Sequence, residues 1–346
     1  MNKGVVYVLC PAKSVTGGPD ALHQMVYYLN LIGIYAKIAY ITEKSKKDIS
    51  IPEPYKIYLS DFLLEDDIID SSENFVVIPE DQTRKRKLFK NAKIVIWWLS
   101  VDNNSLYDLK NKFLFLSTLP LRIMKNWWFY KNNTLFVVKN ILNKEIYSFK
   151  KEPSNIIHIC ASYYAFDYVS RKSKNNVFKC IEPISNFFLN EYNVISSTKQ
   201  KNVILYNPKR KYENILKKIS SAAPELQFEP LQGLTQQQLI EKYKTSKLYI
   251  DFGAFPGAER IPKEAVLFGC AIITGRRGAS NFHGDVPIPD EYKFENPTAQ
   301  IDEIVAKIRY VLDNYEKIYS DFDEYRETVL NLEDNFIKSL KEIFGK

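Results

Sequence analysis

The sequence predicts an α/β protein built from two similar halves that are joined by one linker. Short apolar runs alternate with segments of helical spacing along all 346 residues. The alternation starts again after residues 183–200, a segment with a proline, several Ser and Asn residues and no regular period. The length also suits two hydrophobic cores better than one. We therefore expect two domains with parallel sheets, and a ligand in the cleft between them.

The first half opens with a predicted strand–helix–strand unit. Residues 5–10 are apolar throughout, as is typical of a buried parallel strand. Apolar residues then recur at helical spacing, Gly33 stands where a C-cap glycine would, and a second strand follows at 36–41. Residues 46–72 are polar and irregular, which predicts a surface excursion. The remaining apolar runs predict strands at 75–78, 94–98, 135–138 and 156–160, with a helix at 162–169.

The second half repeats the alternation. Apolar runs predict strands at 202–206, 226–228, 248–252 and 271–274. Helical spacing predicts helices at 213–219, 235–243, 259–268 and 301–312, followed by a charged helical tail at 315–344. Thr235 is the residue type that caps a helix N-terminus, and Gly269 stands where the third of these helices would end.

The composition narrows the function without choosing it. The hydrophobic content of 45% and charged content of 26% are ordinary for a globular protein. A net charge of +7 favours anionic partners, but no nucleic-acid-binding motif is present, so nucleic acid is not expected as a partner. The four cysteines lie in or beside apolar runs and form no CxxC pair, which predicts buried thiols in a reducing compartment. With no signal peptide and no apolar run of membrane-spanning length, we expect a cytoplasmic protein.

A glycine-containing loop follows the first predicted strand. Gly17 and Gly18 let the backbone approach a ligand closely, and the helix that they open offers free N–H groups. Pro19 suits the first turn of that helix. The loop therefore fits an anion or a sugar hydroxyl, although a tight turn without a ligand explains the same residues. It does not match GxGxxG, which disfavours dinucleotide binding.

Three loops in the second half combine positive charge and glycine at predicted strand ends. Lys209, Arg210 and Lys211 follow the first strand, where they could neutralise a diphosphate or simply be a solvated charge run. The segment 251–265 runs through glycines into a helix that carries Glu259 and Glu264. Such a glutamate can accept the two hydroxyls of a ribose, or can merely favour the helix dipole. The segment 274–282 adds two arginines and two glycines.

The order of these segments resembles the GT-B glycosyltransferases of bacterial lipopolysaccharide and capsule synthesis. The matching stretches are TGGPDALHQMVYYL, VIWWLSVDN, VILYNPKRK, SKLYIDFGAFPGAERIPKEAVLFGCAIITGRRGASNF and DVPIPDEYKF. They are densest over 202–294. The resemblance implies two Rossmann-like domains facing across a cleft. The acceptor domain would be 1–185, the nucleotide-sugar domain 200–320, and a C-terminal helix at 321–346 would return to the first domain.

The same resemblance implies an activity. The protein would move a hexose or related sugar from a nucleotide sugar to a lipooligosaccharide, O-antigen or capsule acceptor, without a metal or other cofactor. Lys209 and Arg210 would meet the diphosphate, Glu264 the ribose, and the loop at 16–18 would face the donor. The expected donor-binding set is Gly17, Gly18, Lys209, Arg210, Gly257, Arg260, Glu264, Arg276, Gly278 and Ser280.

The chain departs from the family pattern at one position. Many retaining members carry Glu-x7-Glu at this helix; Glu264 fits the second position, but Pro256 stands at the first. Glu259 is the available substitute, so retention or inversion of stereochemistry stays open. An inverting enzyme also needs a base for the acceptor hydroxyl. The candidates are Asp102, ranked first, Asp20 and His23, and the catalytic set chosen is Asp102, Glu259 and Asp20.

The other polar motifs are assigned to structure or to a surface. His23 is expected to be structural and His158 a core histidine, whereas His283 stays open. The DxD match at 321–323 lies in the charged tail, so no metal site is expected. Trp, Tyr and Lys at 121–131, with the basic run at 84–87, suit peripheral contact with the inner membrane or an aromatic patch packed in the first domain.

Two other classes of function fit the same pattern. A sugar-nucleotide 2-epimerase of this architecture would change the sugar nucleotide without releasing nucleoside diphosphate. A non-catalytic binding protein would hold the nucleotide sugar without turnover. The products formed from a nucleotide sugar distinguish all three.

Overall fold

The computed structural model describes residues 4–42, 49–102, 147–192, 201–210 and 212–345. The chain divides into two compact units. The first comprises Met1–Cys160 with Ala165–Phe178, and the second Ala161–Tyr164 with Lys179–Lys346. The predicted strand at 135–138 and the aromatic segment at 121–131 lie outside the described residues.

The first unit is built on a seven-stranded sheet. Its strands are β1 (Val6–Pro11), β2 (Ala36–Ile41), β3 (Leu63–Leu64), β4 (Phe75–Pro79), β5 (Lys93–Trp98), β6 (Ile157–Cys160) and β7 (Val177–Lys179). The order is β3-β2-β1-β4-β5-β6-β7, and the pairs from β3 through β6 are parallel. Helices α1 (Gly17–Leu31) and α2 (Tyr163–Ser170) follow β1 and β6. The central strands are apolar on both faces because both faces are buried, as the sequence predicts.

The predicted surface excursion proves to be part of this unit. Leu63–Leu64 forms β3 and pairs with β2, and the side chains of Tyr55 and Tyr58 are buried. The prediction of an irregular surface segment over 46–72 was therefore wrong for these residues. A strand of two residues is too short to show a period of two, and isolated tyrosines among polar residues carry no periodic signal.

The second unit contains a five-stranded parallel sheet. Its strands are β8 (Lys201–Tyr206), β9 (Gln227–Pro230), β10 (Ser246–Asp251), β11 (Ala271–Gly275) and β12 (Lys293–Phe294), in the order β12-β11-β10-β8-β9. The helices of this unit are α3 (Asn186–Asn190), α4 (Glu213–Ala222), α5 (Gln236–Thr245), α6 (Arg260–Leu267), α7 (Ile301–Asp313), α8 (Tyr315–Ile318), α9 (Asp323–Leu330) and α10 (Leu332–Phe344).

Local sequence explains where several of these helices begin and end. Thr235 accepts a hydrogen bond from the amide of Gln238, whose side chain bonds back to Thr235, so α5 begins with the predicted cap. Gly269 follows α6 with φ of 87°, and Gly33 follows α1 with φ of 79°. The predicted linker is less irregular than expected, because Ser185 caps the short helix α3 within it. The tail is split into α8, α9 and α10, and α9 packs on α6 in the second unit.

Each sheet has one point at which its strand order reverses. In the first sheet this point lies between β1 and β4, and in the second it lies between β8 and β10. Open α/β sheets bind ligands outside the carboxyl ends of the strands at such points. The loops that follow these four strands are therefore the places to examine for a site.

Two smaller predictions concern the whole chain. All four cysteines are buried and free, as predicted, and burial raises the pKa of the Cys10 and Cys160 thiols. No helix in the described part of the chain is long and apolar enough to cross a membrane.

Candidate functional site

The loops after β8 and β10 are tied together by one arginine. The Arg210 guanidinium bonds through Nε to the Asp251 carboxylate at 3.1 Å and through Nη1 to Glu259 at 3.1 Å. Nη2 donates to the carbonyl of Ala254, and the guanidinium lies 4.9 Å from the centre of the Phe255 ring. Arg210 therefore links the tip of β8 to the whole glycine-rich loop that precedes α6.

The two carboxylates that hold Arg210 differ in their surroundings. Asp251 is 1% exposed and also accepts hydrogen bonds from the Tyr249 hydroxyl at 3.0 Å and the Gly253 amide at 2.9 Å. The Glu259 side chain is 26% exposed and stands at the N-cap position of α6. Burial raises the pKa of both carboxyl groups, and Arg210 opposes that rise. Asp251 is thus a fixed part of the loop, whereas Glu259 reaches its surface.

Close backbone packing explains two of the glycines at this edge. A Cβ atom at Gly253 would lie 2.9 Å from the carbonyl oxygen of Arg210. Gly278 has φ of 73°, and a Cβ there would lie 2.1 Å from the carbonyl oxygen of Phe255. These positions need glycine because the loops after β8, β10 and β11 touch through their backbones.

The loop after β11 is fastened to the β10 loop and to itself. The Phe255 amide donates to the carbonyl of Arg277 at 2.9 Å, and the Ala279 amide donates to the carbonyl of Phe255 at 2.8 Å. The buried Ser280 hydroxyl donates to the carbonyl of Gly275 at 2.6 Å and accepts from the Arg277 amide at 3.0 Å. These bonds give Ser280 a structural role, and its predicted contact with the donor stays a prediction.

The two arginines of this loop have different partners. Arg276 bonds to the Asp290 carboxylate at 2.7 Å and lies 3.7 Å from that of Glu295. The Arg277 side chain is exposed and bonds to no carboxylate within the described ranges. Lys209, at the tip of β8, is likewise exposed, and no carboxylate of the described chain pairs with it.

The glutamate expected to bind a ribose is buried on α6. Glu264 is 2% exposed; one carboxylate oxygen accepts from the Tyr243 hydroxyl at 3.2 Å, and the other lies 3.2 Å from Nη2 of Arg260. Arg260, one helical turn earlier, is 32% exposed at its side chain. A ligand hydroxyl that bonds to Glu264 would have to share or replace the Arg260 contact.

The corresponding loop of the first unit is held by neutral groups. The Tyr55 hydroxyl accepts from the Thr16 amide at 3.1 Å and donates to the Thr16 carbonyl at 3.0 Å. The Tyr55 ring stacks on His23 at 4.3 Å. Gly17 and Gly18 follow directly as the first residues of α1, and a Cβ at Gly18 would lie 3.6 Å from the Leu99 side chain just after β5.

The candidate bases of the first unit lie on this same edge. Asp20 is buried in the first turn of α1, where the Gln24 side chain donates to it at 3.2 Å. Asp102 is half-buried at the end of the described segment that leaves β5. His23 bonds through Nδ1 to the Pro19 carbonyl at 2.6 Å and through Nε2 to the Tyr40 hydroxyl at 2.7 Å. Burial lowers its pKa to about 4, so His23 is a neutral core residue, as predicted.

The remaining histidines have partners of their own. His158 is fully buried, accepts from the Trp98 indole at 3.0 Å and faces Glu152 at 3.0 Å, so it is the predicted core histidine. His283 is exposed and pairs with Glu324 at 2.8 Å. Within the described residues no three His, Cys, Asp or Glu side chains cluster as metal ligands would. The expectation that the reaction needs no metal stays a prediction.

Comparison with known proteins identifies the fold. No protein-family model and no curated protein sequence matches the chain. Sucrose-phosphate synthase from Thermosynechococcus elongatus is 12% identical with a TM-score of 0.60, over 99% of this chain and 98% of its own. A glycosyltransferase from Rickettsia africae ESF-5 is 14% identical with a TM-score of 0.58, again over 99% and 98%. The chain has the GT-B fold.

A third structure with the GT-B fold is WaaG, a glycosyltransferase involved in lipopolysaccharide biosynthesis. It is 11% identical with a TM-score of 0.57, over 99% of this chain and all of its own. The fold class predicted from the sequence is therefore confirmed. At such low identity the likeness concerns the fold, so the roles of individual residues must rest on the geometry of this chain.

In this GT-B chain the predicted second-unit residues gather at one sheet edge, as the order of their segments implies. Sequence reasoning missed the groups that hold them there, which are Tyr243, Asp251 and Phe255, and in the first unit it missed Tyr55, which holds the loop before α1. A carboxylate that ends a buried strand, as Asp251 does, is one signal that could have been used. The tyrosines carry no such signal, because their partners are remote in sequence.

Proposed function

We propose that this protein is a glycosyltransferase that moves a sugar from a nucleotide-sugar donor to a glycan acceptor. The observation that carries the proposal is the carboxyl edge of the second sheet, where three loops meet at the point of strand reversal. The loops place a glycine-rich backbone, the N-terminus of α6 and exposed cations together. That combination suits a pyrophosphate group bonded to a sugar.

The chemistry of transfer requires a stabilised leaving group. When the bond from the sugar to the diphosphate breaks, negative charge grows on the diphosphate oxygens. Cations and N–H groups that are already in place lower the energy of that charge without reorganising. Lys209 supplies such a cation, and Arg210 holds the loop in shape. Glu264 fits the ribose, provided that the hydroxyls share or displace its contact with Arg260.

The finer assignments rest on the resemblance. We propose a hexose or related sugar as the group transferred and a lipooligosaccharide, O-antigen or capsule chain as acceptor. The WaaG likeness supports this choice, because its own role is in lipopolysaccharide biosynthesis. We also propose a cytoplasmic protein that works without a metal and docks peripherally at the inner membrane. The exposed cations Arg84 and Lys87, beside the exposed Leu88, suit an acidic bilayer surface.

A thermal-shift screen followed by product analysis tests the function. Nucleoside diphosphates and their sugars are added singly, and a ligand that binds only the folded state raises the melting temperature. We expect one base to stabilise the protein, and the matching nucleotide sugar to release nucleoside diphosphate when a glycan acceptor is present. Lys242→Ala is a control variant, and each ligand should raise its melting temperature as much as that of the wild type. Lys242 pairs with Glu229 of strand β9 and is not part of the three loops.

The products separate the outcomes. An altered sugar nucleotide without released nucleoside diphosphate would indicate an isomerase instead of a transferase. Binding without any product would indicate a non-catalytic binding protein. If no nucleoside diphosphate or nucleotide sugar changes the melting temperature, the proposed function is wrong.

A further inference from the structure

Two pairs of adjacent cations stand at the carboxyl edge of the second sheet. Lys209 and Arg210 follow β8, with Lys211 next to them outside the described residues, and Arg276 and Arg277 follow β11. The sequence makes the members of each pair look alike. The structure separates them, because one member of each pair is bonded to carboxylates and the other is exposed without one among the described residues.

Arg210 and Arg276 are the members of the two pairs that bond to carboxylates. Arg210 has Asp251 and Glu259 as partners, and its side chain is 14% exposed. Arg276 has Asp290 and Glu295, and its side chain is 20% exposed. A diphosphate that took Arg210 from its partners would leave the buried Asp251 carboxylate with one cation fewer. That loss opposes binding, because an uncompensated buried charge is costly.

Arg277 is the cation that the site assignments so far leave out. Its backbone is fixed on both sides, since its amide donates to Ser280 Oγ at 3.0 Å and its carbonyl accepts from the Phe255 amide at 2.9 Å. The neighbouring Gly278 can only be glycine at this backbone approach. Because these bonds already fix the backbone of Arg277, less of this segment has to become ordered when its exposed guanidinium binds a ligand.

Phe255 contacts both of the segments that carry Lys209 and Arg277. Its ring lies against Arg210, the residue after Lys209, and its backbone pairs with the Arg277–Gly278 segment. Lys209 and Arg277 therefore belong to segments that both contact Phe255. A guanidinium binds phosphate oxygens through two parallel hydrogen bonds, and an ammonium adds a point charge.

We propose that Arg277 binds the phosphate oxygens of the donor together with Lys209, whereas Arg210 and Arg276 hold the loops and do not bind the ligand. The inference rests on the proposed function, since it names the groups that bind the diphosphate at that site. It divides each pair of adjacent cations into one ligand-binding and one loop-holding member.

Calorimetric titration with inorganic pyrophosphate tests this division, and the nucleoside diphosphate selected by the thermal-shift screen is the second probe. Arg277→Ala is expected to weaken binding of both probes about tenfold, as loss of a charge-assisted pair does. Arg277→Lys should lie between the wild type and Arg277→Ala, because it keeps the charge and loses the paired hydrogen bonds. Arg276→Ala, which removes a loop contact, should weaken binding less than Arg277→Ala does. Arg309→Ala is the control, because Arg309 on α7 pairs with the exposed Glu225, and it should leave both affinities within about twofold of the wild type.

The readouts separate this inference from the proposed function. If the wild type binds the probes and Arg277→Ala binds them equally well, the assignment of Arg277 is wrong while the function stands. A loss of affinity in Arg276→Ala as large as that in Arg277→Ala would also overturn the division. If the wild type binds neither probe, the proposed function fails and this inference fails with it. Circular dichroism of each variant shows that the comparison is made between folded proteins.

Discussion

The loop after β1 and the loop after β10 occupy equivalent places and are held by opposite means. Each contains glycine, follows a central parallel strand at the point of strand reversal and opens a helix. The first is held by the neutral hydroxyl of Tyr55 and by the uncharged His23 beside it. The second is held by the ion pairs of Arg210 with Asp251 and Glu259.

The contrast shows how one topology can present two kinds of surface. The groups that hold the first loop are neutral, which suits the hydroxyl groups of a sugar. A loop held by ion pairs already contains both signs of charge, and its extra cations suit a diphosphate. The difference also predicts that the two loops respond differently to mutation and to pH.

The largest expected effect is the loss of stability when the ion pairs of Arg210 are removed. Arg210→Ala leaves the buried Asp251 and the partly buried Glu259 without their cation. Breaking a buried pair in this way costs about 3–5 kcal/mol. Urea unfolding should show this drop in the free energy of unfolding, and Arg309→Ala should show little change because its pair with Glu225 is exposed. An Arg210→Ala protein as stable as the wild type would contradict the claim that these ion pairs hold the loop.

A pH effect of intermediate size should come from the first loop. The pKa of His23 is lowered by burial to about 4, so the unfolded chain binds a proton there first as the pH falls. The stability from this group is complete above pH about 6.5 and declines as the pH approaches 4, which amounts to about 2 kcal/mol at pH 5. The raised pKa values of Asp251, Glu259 and Asp285, about 6 for the last, act in the opposite direction over part of this range.

A variant isolates the histidine contribution. His23→Gln should be less stable than the wild type at pH 7.5 but should lose less of its remaining stability between pH 7.5 and pH 5. Parallel curves for the wild type and His23→Gln would contradict the neutral, buried state of His23.

Removing the neutral hydrogen bonds of the first loop should lower the stability by a smaller amount. Tyr55→Phe removes the hydroxyl that bonds to both backbone groups of Thr16 and leaves the stacked ring in place. We expect a loss of about 1–2 kcal/mol in the free energy of unfolding and faster exchange of the Thr16 amide hydrogen. Binding of inorganic pyrophosphate should not change, since the loop belongs to the other unit. A weaker pyrophosphate affinity in Tyr55→Phe would break the proposed contrast.

The smallest effects concern single ligand contacts. Lys209→Ala should weaken nucleoside diphosphate binding about tenfold at unchanged stability, because the residue is exposed. Glu264→Gln should weaken binding of the nucleoside but not of inorganic pyrophosphate. The amide is chosen because Glu264→Ala would also remove the bonds to Tyr243 and Arg260. Equal losses for both ligands in Glu264→Gln would argue against a ribose contact.

The elements were predictable where burial leaves a continuous apolar run or where a local residue caps a helix. The strands β1, β5 and β10 are apolar on both faces, and Thr235, Gly33 and Gly269 fix the ends of their helices through local bonding. Strand β3 escaped prediction because two residues carry no period.

The site was predictable only as a set of segments. Charge and glycine at strand ends place Lys209, Arg210 and Arg276 on one edge. Which cations are neutralised depends on partners that only the folded chain brings near, as Asp251 is 41 residues from Arg210. Sequence therefore located the charged edge but not the division of its charges.

The central claim is that the diphosphate lies at the second edge and not at the first. A crystal structure with the selected nucleoside diphosphate tests it most directly. We expect phosphate oxygens within hydrogen-bonding distance of Lys209 and Arg277, with Arg210 still bonded to Asp251. Phosphates bound at Gly17 and Gly18, away from both cations, would contradict it.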